Sequence, residues 1–99
     1  RILVIVPRFH SNLVGVDRAL SSANISVTFL TSHVGPSQRE SNGDQIVTPE
    51  SARSDSWCRE ILSQTRPDIL VVRETSRSSR TIWSRARALG IPCVFYDQG

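Results

Sequence analysis

The residues that invite chemistry stand directly after three short apolar runs. Ile2-Leu3-Val4-Ile5-Val6 stops at Pro7 and opens into Arg8, Phe9, His10, Ser11 and Asn12. Ile69-Leu70-Val71-Val72 opens into Arg73, Glu74, Thr75 and Ser76, and the last run opens into Tyr96, Asp97, Gln98 and Gly99. His10 exchanges a proton near neutral pH, which makes it the candidate catalytic residue, as a contact to an acceptor hydroxyl or a general base. A loop imidazole bonded to the backbone is an equally open reading. Arg8, Ser11, Asn12, Arg73 and Glu74 are the candidate substrate-binding residues, a mixed-charge rim suited to hydroxyls and to phosphate. For Asn12 the favoured reading is a cap of the first helix. Arg73 and Glu74 are adjacent on a strand end, so their side chains point to opposite faces. One is expected to face a crevice while the other braces a neighbouring loop, and pairing of Glu74 with a nearby arginine competes with catalysis. His33, Arg39 and Glu40 fall in a long loop, for which a lid and simple disorder are both open.

The elements that must position these residues follow from periodicity. Fully apolar runs of strand length imply strands buried on both faces, as in a parallel sheet covered by helices. Residues 2–6 read as the first strand and residues 12–23 as a helix, with Leu13, Val16, Leu20 and Ala23 at helical spacing and Asn24 as its stop. Ile25–Leu30 alternates and is β-branched, the second strand. Gly35-Pro36 and Asn42-Gly43 mark His33–Asp44 as loop, and Ile46-Val47 makes a short third strand ended by Pro49. Residues 50–65 read as a helix started by Glu50 or Ser51, with Trp57, Cys58, Ile61 and Leu62 on one face. Arg66-Pro67-Asp68 launches the fourth strand. Ser76 or Ser78 caps a third helix that ends at Gly90, with Ile82, Ala86 and Leu89 inside and Arg77, Arg80 and Arg87 on the opposite face. Ile91–Tyr96 is the fifth strand, with Pro92 at its start.

Right-handed crossovers between these strands predict an α/β, doubly wound three-layer sandwich with a five-stranded parallel sheet of order 3-2-1-4-5. In such sheets ligands bind beyond the carboxyl ends of the strands, at the point where strand order reverses. Here that point lies between the first and fourth strands.

The loops exclude several chemistries. A dinucleotide site needs glycines after the first strand, and only Gly15 stands near. A P-loop needs lysine, and the chain has none. A phosphoacceptor site needs acids after the first strand, yet the first acid is Asp17, inside a helix. Cys58 and Cys93 lack metal-ligand spacing and read as small buried hydrophobes in a reducing cytoplasm. No metal or cofactor is expected in this domain.

At 99 residues the chain has room for one domain, residues 1–99, with a modest core. Its net charge is +3 with 12 arginines, a pattern that fits a solvated helix face better than an anionic partner. Nucleic-acid binding through the arginine-rich helix lacks interleaved exposed aromatics and is the weakest reading. No apolar run approaches the ~20 residues of a membrane span, and no signal peptide is evident. The non-Met start, and an end directly after an apolar run, suggest a piece of a longer protein.

Three segments resemble the N-terminal, Rossmann-like domain of GT-B glycosyltransferases, especially the retaining group typified by sucrose and glycogen synthases (family 4 type). Ile2–Leu13 is similar to the first strand and acceptor loop. Arg66-Pro67-Asp68-Ile69-Leu70-Val71-Val72-Arg73-Glu74 resembles the x-P-D-hydrophobic strand. Leu89-Gly90-Ile91-Pro92-Cys93-Val94-Phe95-Tyr96-Asp97-Gln98 resembles the LGIPVVxxxH/Q strand. The resemblance implies an acceptor-binding half of an enzyme that moves a sugar from a nucleotide-sugar donor to a glycan or lipid-linked acceptor. It also implies a donor-binding C-terminal domain in the same chain, with an acidic E-x7-E motif. It further implies a cytoplasmic location, with peripheral membrane contact assisted by Arg77, Arg80 and Arg87. The glycine-rich turn of many members is missing here, and this domain alone is not expected to catalyse transfer. The alternative is a non-catalytic flavodoxin-like module that binds a protein or small anion.

Overall fold

The computed structural model describes residues 1–7, 11–33 and 43–96, with Ser11 and Asn12 described by their backbone alone. The strands are β1 (Ile2–Ile5), β2 (Val27–Thr31), β3 (Asp44–Val47), β4 (Ile69–Val72) and β5 (Cys93–Phe95). The helices are α1 (Ser11–Ser22), α2 (Asp55–Thr65) and α3 (Arg77–Ala88). All strand pairs are parallel, and the order is β3-β2-β1-β4-β5, as the pattern predicts. β1 pairs with β2 on one side (Val4 opposite Phe29) and with β4 on the other (Val4 opposite Val71).

Strand alternation sorts the core into two halves. Leu3, Ile5, Leu30, Leu70 and Val72 point to one face and pack under α2 and α3 against Cys58, Ile61, Leu62, Ile82 and Ala86. Val4, Val6, Val27 and Phe29 point to the other face and meet Leu13 and Val14 of α1. Two helices therefore cover one face and a single helix covers the other. Asp17, wholly buried on α1, accepts a hydrogen bond at Oδ2 from the Gly43 N–H at 3.2 Å. That bond ties α1 to the residue that enters β3.

Several boundaries differ from the sequence reading, each for a local reason. The helix expected over residues 50–65 is broken in two. A 3-10 turn at Glu50–Ala52 ends at Arg53, and α2 begins only after Ser54, whose side chain accepts from the Trp57 N–H at 3.1 Å. The Arg53 side chain is drawn fully inside, so its backbone leaves the helical region (φ −95°, ψ 74°) and a new cap is needed. β2 starts at Val27 rather than Ile25, because Asn24 is left-handed (φ 60°) and Ile25 is still exposed as the chain turns. β3 is longer than expected because Asp44 and Gln45 join the ladder at an edge. β5 is shorter: Pro92 stands before it and contributes its carbonyl to the Leu70 N–H at 2.9 Å. Ser76 caps α3 in a reciprocal box: the Ser79 N–H reaches Ser76 Oγ at 3.1 Å, and the Ser76 N–H reaches Ser79 Oγ at 2.8 Å. Among the described residues, no helix is long and apolar enough to cross a membrane.

Candidate functional site

The carboxyl edge gathers the ends of β1, β4 and β5. The Arg73 N–H donates to the Ile5 carbonyl at 2.9 Å, which carries the β1–β4 pairing one residue past the strands. The Tyr96 N–H does the same against Val72 at 2.9 Å. Arg73 and Tyr96 thereby reach the same height on the same face, and the guanidinium lies over the Tyr96 ring, 4.9 Å from its centroid. A cation stacked on an aromatic ring is worth about 0.5–1 kcal/mol at an exposed site. Arg73 Nε is buried and without an acceptor among the described residues.

Glu74 turns to the opposite face. Its Oε1 lies 3.5 Å from Arg53 Nη1, and its main chain accepts from Ser79 Oγ at 3.2 Å. The expectation that one residue of the pair faces the crevice and the other braces a loop therefore describes the geometry, with Glu74 in the bracing place. Burial outweighs the neighbouring cation and raises the Glu74 carboxyl above its usual value.

Arg53 is the hub of that bracing. Its Nε donates to the Thr48 carbonyl at 2.9 Å and its Nη1 to Ser78 Oγ at 3.3 Å. Nη1 also stands 3.9 Å from Glu50 Oε2, and the guanidinium lies 5.7 Å from the Trp57 ring centroid. A buried guanidinium is tolerated because its planar fork meets several acceptors at once. The network joins the chain after β3, the start of α2, the end of β4 and the start of α3. Nothing in the local sequence pattern singles out Arg53 as a hub: its one signal is an arginine directly before a Ser-Asp helix start, and that pattern is common.

Glu50 occupies the amino end of α3. Its carboxylate accepts from the Ser78 N–H at 2.9 Å and from Ser78 Oγ at 2.5 Å. Burial opposes its ionisation, but the Ser78 hydroxyl and N–H, aided by Arg53 and Arg77, prevail and lower its pKa. A helix amino terminus attracts anions through free N–H groups and its dipole, and here an internal carboxylate takes that place. Arg77 also departs from its expected place beside Arg80 and Arg87. Its Nη1 pairs with Asp55 at 3.1 Å and its Nη2 donates to the Arg53 carbonyl at 2.6 Å, so it staples α3 to the start of α2.

Arg8 and His10 lie outside the described residues. Ser11 and Asn12 form the first two positions of α1, so Asn12 stands inside the first turn rather than at the expected cap position. His33 is exposed just after β2, and its N–H donates to the Pro7 carbonyl at 3.2 Å, which brings the β2 end beside the β1 end. Asp97 and Gln98 lie outside the described residues. Among those described, no cluster of His, Cys, Asp and Glu could hold a metal ion.

Two concavities flank the stacked pair. One of about 450 Å³ runs between α1 and β4, with Val16, Leu20, Val71, Arg73 and Tyr96 in its lining. A smaller one of about 240 Å³ lies on the α3 side, among Glu74, Ser79, Arg80, Trp83 and Phe95. A more voluminous hollow of about 600 Å³ sits at the amino edge beside Arg1, Ser26 and Gln64. It lies away from the strand ends where parallel sheets hold ligands.

Comparison with protein-family models, with curated proteins and with solved structures finds no match to this chain.

Proposed function

We propose that this domain is the acceptor-binding half of a glycosyltransferase that moves a sugar from a nucleotide-sugar donor to a glycan or lipid-linked acceptor. The observation that carries the reading is the Arg73–Tyr96 stack at the carboxyl edge, beside the end of β1. A planar donor array on an aromatic ring suits a hydroxyl-rich ligand. Arg8, His10, Ser11, Asn12 and Arg73 are its proposed contacts, with His10 nearest the reacting hydroxyl. Glu74 is proposed as a positioning residue, because Arg53 engages it from the other face. The nucleotide-sugar would be held by a C-terminal domain of the same chain, and this half alone would not turn over.

The competing reading is a non-catalytic flavodoxin-like module that binds a protein or small anion, and one feature weighs against its anion form at the start of α3. Glu50 already fills the amino end of α3, so an anion would have to displace a carboxylate held by two hydrogen bonds.

The first test is the reading frame beyond Gly99. A continuing frame that encodes a second α/β domain with paired glutamates supports the proposal. A stop codon directly after Gly99 overturns it. In the longer enzyme, His10→Ala separates two roles. Loss of a general base lowers kcat on the order of a hundredfold or more. Loss of a binding contact raises KM at unchanged kcat. Unchanged kinetics removes His10 from the site.

A further inference from the structure

The two faces of β4 are covered very differently, while the edge strand β5 is open on both, with Phe95 48 % exposed on the α2–α3 side. On the α2–α3 face of β4, Leu70 and Val72 are 0 % and 2 % exposed. On the α1 face of the two strands, Ile69 is 38 %, Val94 49 % and Tyr96 56 % exposed. The cause is the helix count: α1 packs over β1 and β2, and no described element lies over β4 and β5 on that side. Parallel sheets occur almost only with both faces covered, because their strands are apolar on both. The groove of about 450 Å³ beside α1 is the seam of this bare area. Its floor is Ile2, Val4 and Val71, its wall is Val16 and Leu20, and its upper end is Arg73 with Tyr96.

We propose that this half-face is the docking site of an amphipathic helix supplied by a polypeptide segment outside these 99 residues, with an acidic residue in its first turn. The apolar stripe of the helix would cover Ile69, Val71 and Val94 and lie against Val16 and Leu20. Each described helix that follows a strand begins at the carboxyl edge of the sheet, and a helix taking the same direction on this face begins beside Arg73. Charge complementarity supplies the acid. Arg73 Nε is buried at that end without an acceptor among the described residues, and an acidic residue in a first turn also suits the helix dipole. A guanidinium has five N–H donors, so one cation can hold this carboxylate and still meet a ligand at the crevice. The inference does not rest on the transferase reading.

The test uses the isotopically labelled chain and two synthetic amphipathic peptides. They share a leucine stripe at i, i+3, i+4 and i+7 and differ only in one first-turn residue, Glu or Lys. The expected result is saturable amide shifts at Val71, Val94 and Tyr96. The Glu peptide should bind about tenfold tighter, and Arg73→Gln should erase that difference. Val94→Asp, at a half-exposed edge position, should abolish binding while amide dispersion stays native, and Val16→Asp on α1 is its independent check. Four outcomes overturn the proposal. The first is no saturable shift up to about 1 mM peptide, the limit of weak binding. The second is a Glu–Lys difference that survives Arg73→Gln. The third is dimerisation through the same residues without peptide, which assigns the face to a second copy. The fourth is saturation by dodecanoate with no response to either peptide, which assigns the groove to a free amphiphile.

Discussion

Glu74 Oε1 lies 3.5 Å from Nη1 of a wholly buried Arg53, while the next residue along the strand, Arg73, stacks on Tyr96 at the other face of the sheet. One strand end thus sends its anion inward to hold the scaffold and its cation outward to the crevice. The division follows from strand alternation alone. Its consequence is that the two residues answer different experiments: Glu74 those on folding, and Arg73 those on the proposed site.

Arg53→Met should be severely destabilising. The substitution keeps much of the aliphatic volume but strips the cation from Glu74 and the donors from Thr48 and Ser78. Removing one member of a buried ion pair costs about 3–5 kcal/mol, because the other charge stays buried and uncompensated. Urea unfolding should show the midpoint falling without a change in slope. Arg53→Met combined with Glu74→Leu should recover part of the loss. Equal stability for wild type and Arg53→Met would mean that the network is not a brace.

The two glutamates of the network should give opposite pH dependences. Glu74 has a raised folded pKa, mainly through burial, so the native chain binds the extra proton. As pH falls from that raised value to the usual glutamate value of about 4.5, stability should rise, and Glu74→Gln should remove this slope. Glu50 is lowered, because hydrogen bonds from Ser78 and the nearby Arg53 and Arg77 outweigh burial. Its contribution is complete above about 4.5 and is lost as pH falls through the lowered folded value, and Glu50→Gln should flatten that acid limb. Urea midpoints of the three proteins across pH 3–7, an ordinary range for carboxylate titration, give the comparison.

Much of the fold is legible in the sequence because its signals are local. Two fully apolar runs place β1 and β4 at the centre, although β4 is covered on the α2–α3 face alone and leaves Ile69 exposed, and the right-handed crossover rule then orders the sheet. Ser76 and Gly90 mark the ends of α3 by their own chemistry. The site is legible only as far as strand alternation reaches, which is the opposite facing of Arg73 and Glu74. The Arg53 hub is illegible because its partners Thr48, Glu74 and Ser78 are brought together by the sheet and not by spacing. The same contact breaks the helix expected from residue 50. Helical periodicity places Arg77 on a solvent face, and only the approach of α2 gives it Asp55.

The two cysteines should resist alkylation in the native chain. Cys58 is wholly buried and Cys93 partly so, and burial raises both thiols above their usual pKa. The thiolate is the nucleophile, so a raised pKa and poor access both slow the reaction. Mass spectrometry after iodoacetamide at neutral pH should find Cys58 unmodified, Cys93 slowly modified and both rapid in urea. Fast native labelling of Cys58 would show that the α2–α3 core opens readily.

Gly15 and Gly43 should answer alanine in opposite ways. A Cβ at Gly15, on the exposed side of α1, meets nothing within 4 Å. Glycine in a helix interior is less favourable than alanine by roughly 0.5–1 kcal/mol, so Gly15→Ala should stabilise by about that amount. A Cβ at Gly43 would stand 2.8 Å from the Val27 carbonyl oxygen and 2.8 Å from Val27 Cγ1. The carbonyl belongs to a strand and cannot turn aside, so the Gly43 segment must shift, and with it the bond from its N–H to buried Asp17. Overpacking of this kind costs about 1–3 kcal/mol. Thermal melts should move up for Gly15→Ala and down for Gly43→Ala. A Gly43→Ala chain as stable as the wild type would mean that the approach to β3 is loose and that Asp17 does not tie it to α1.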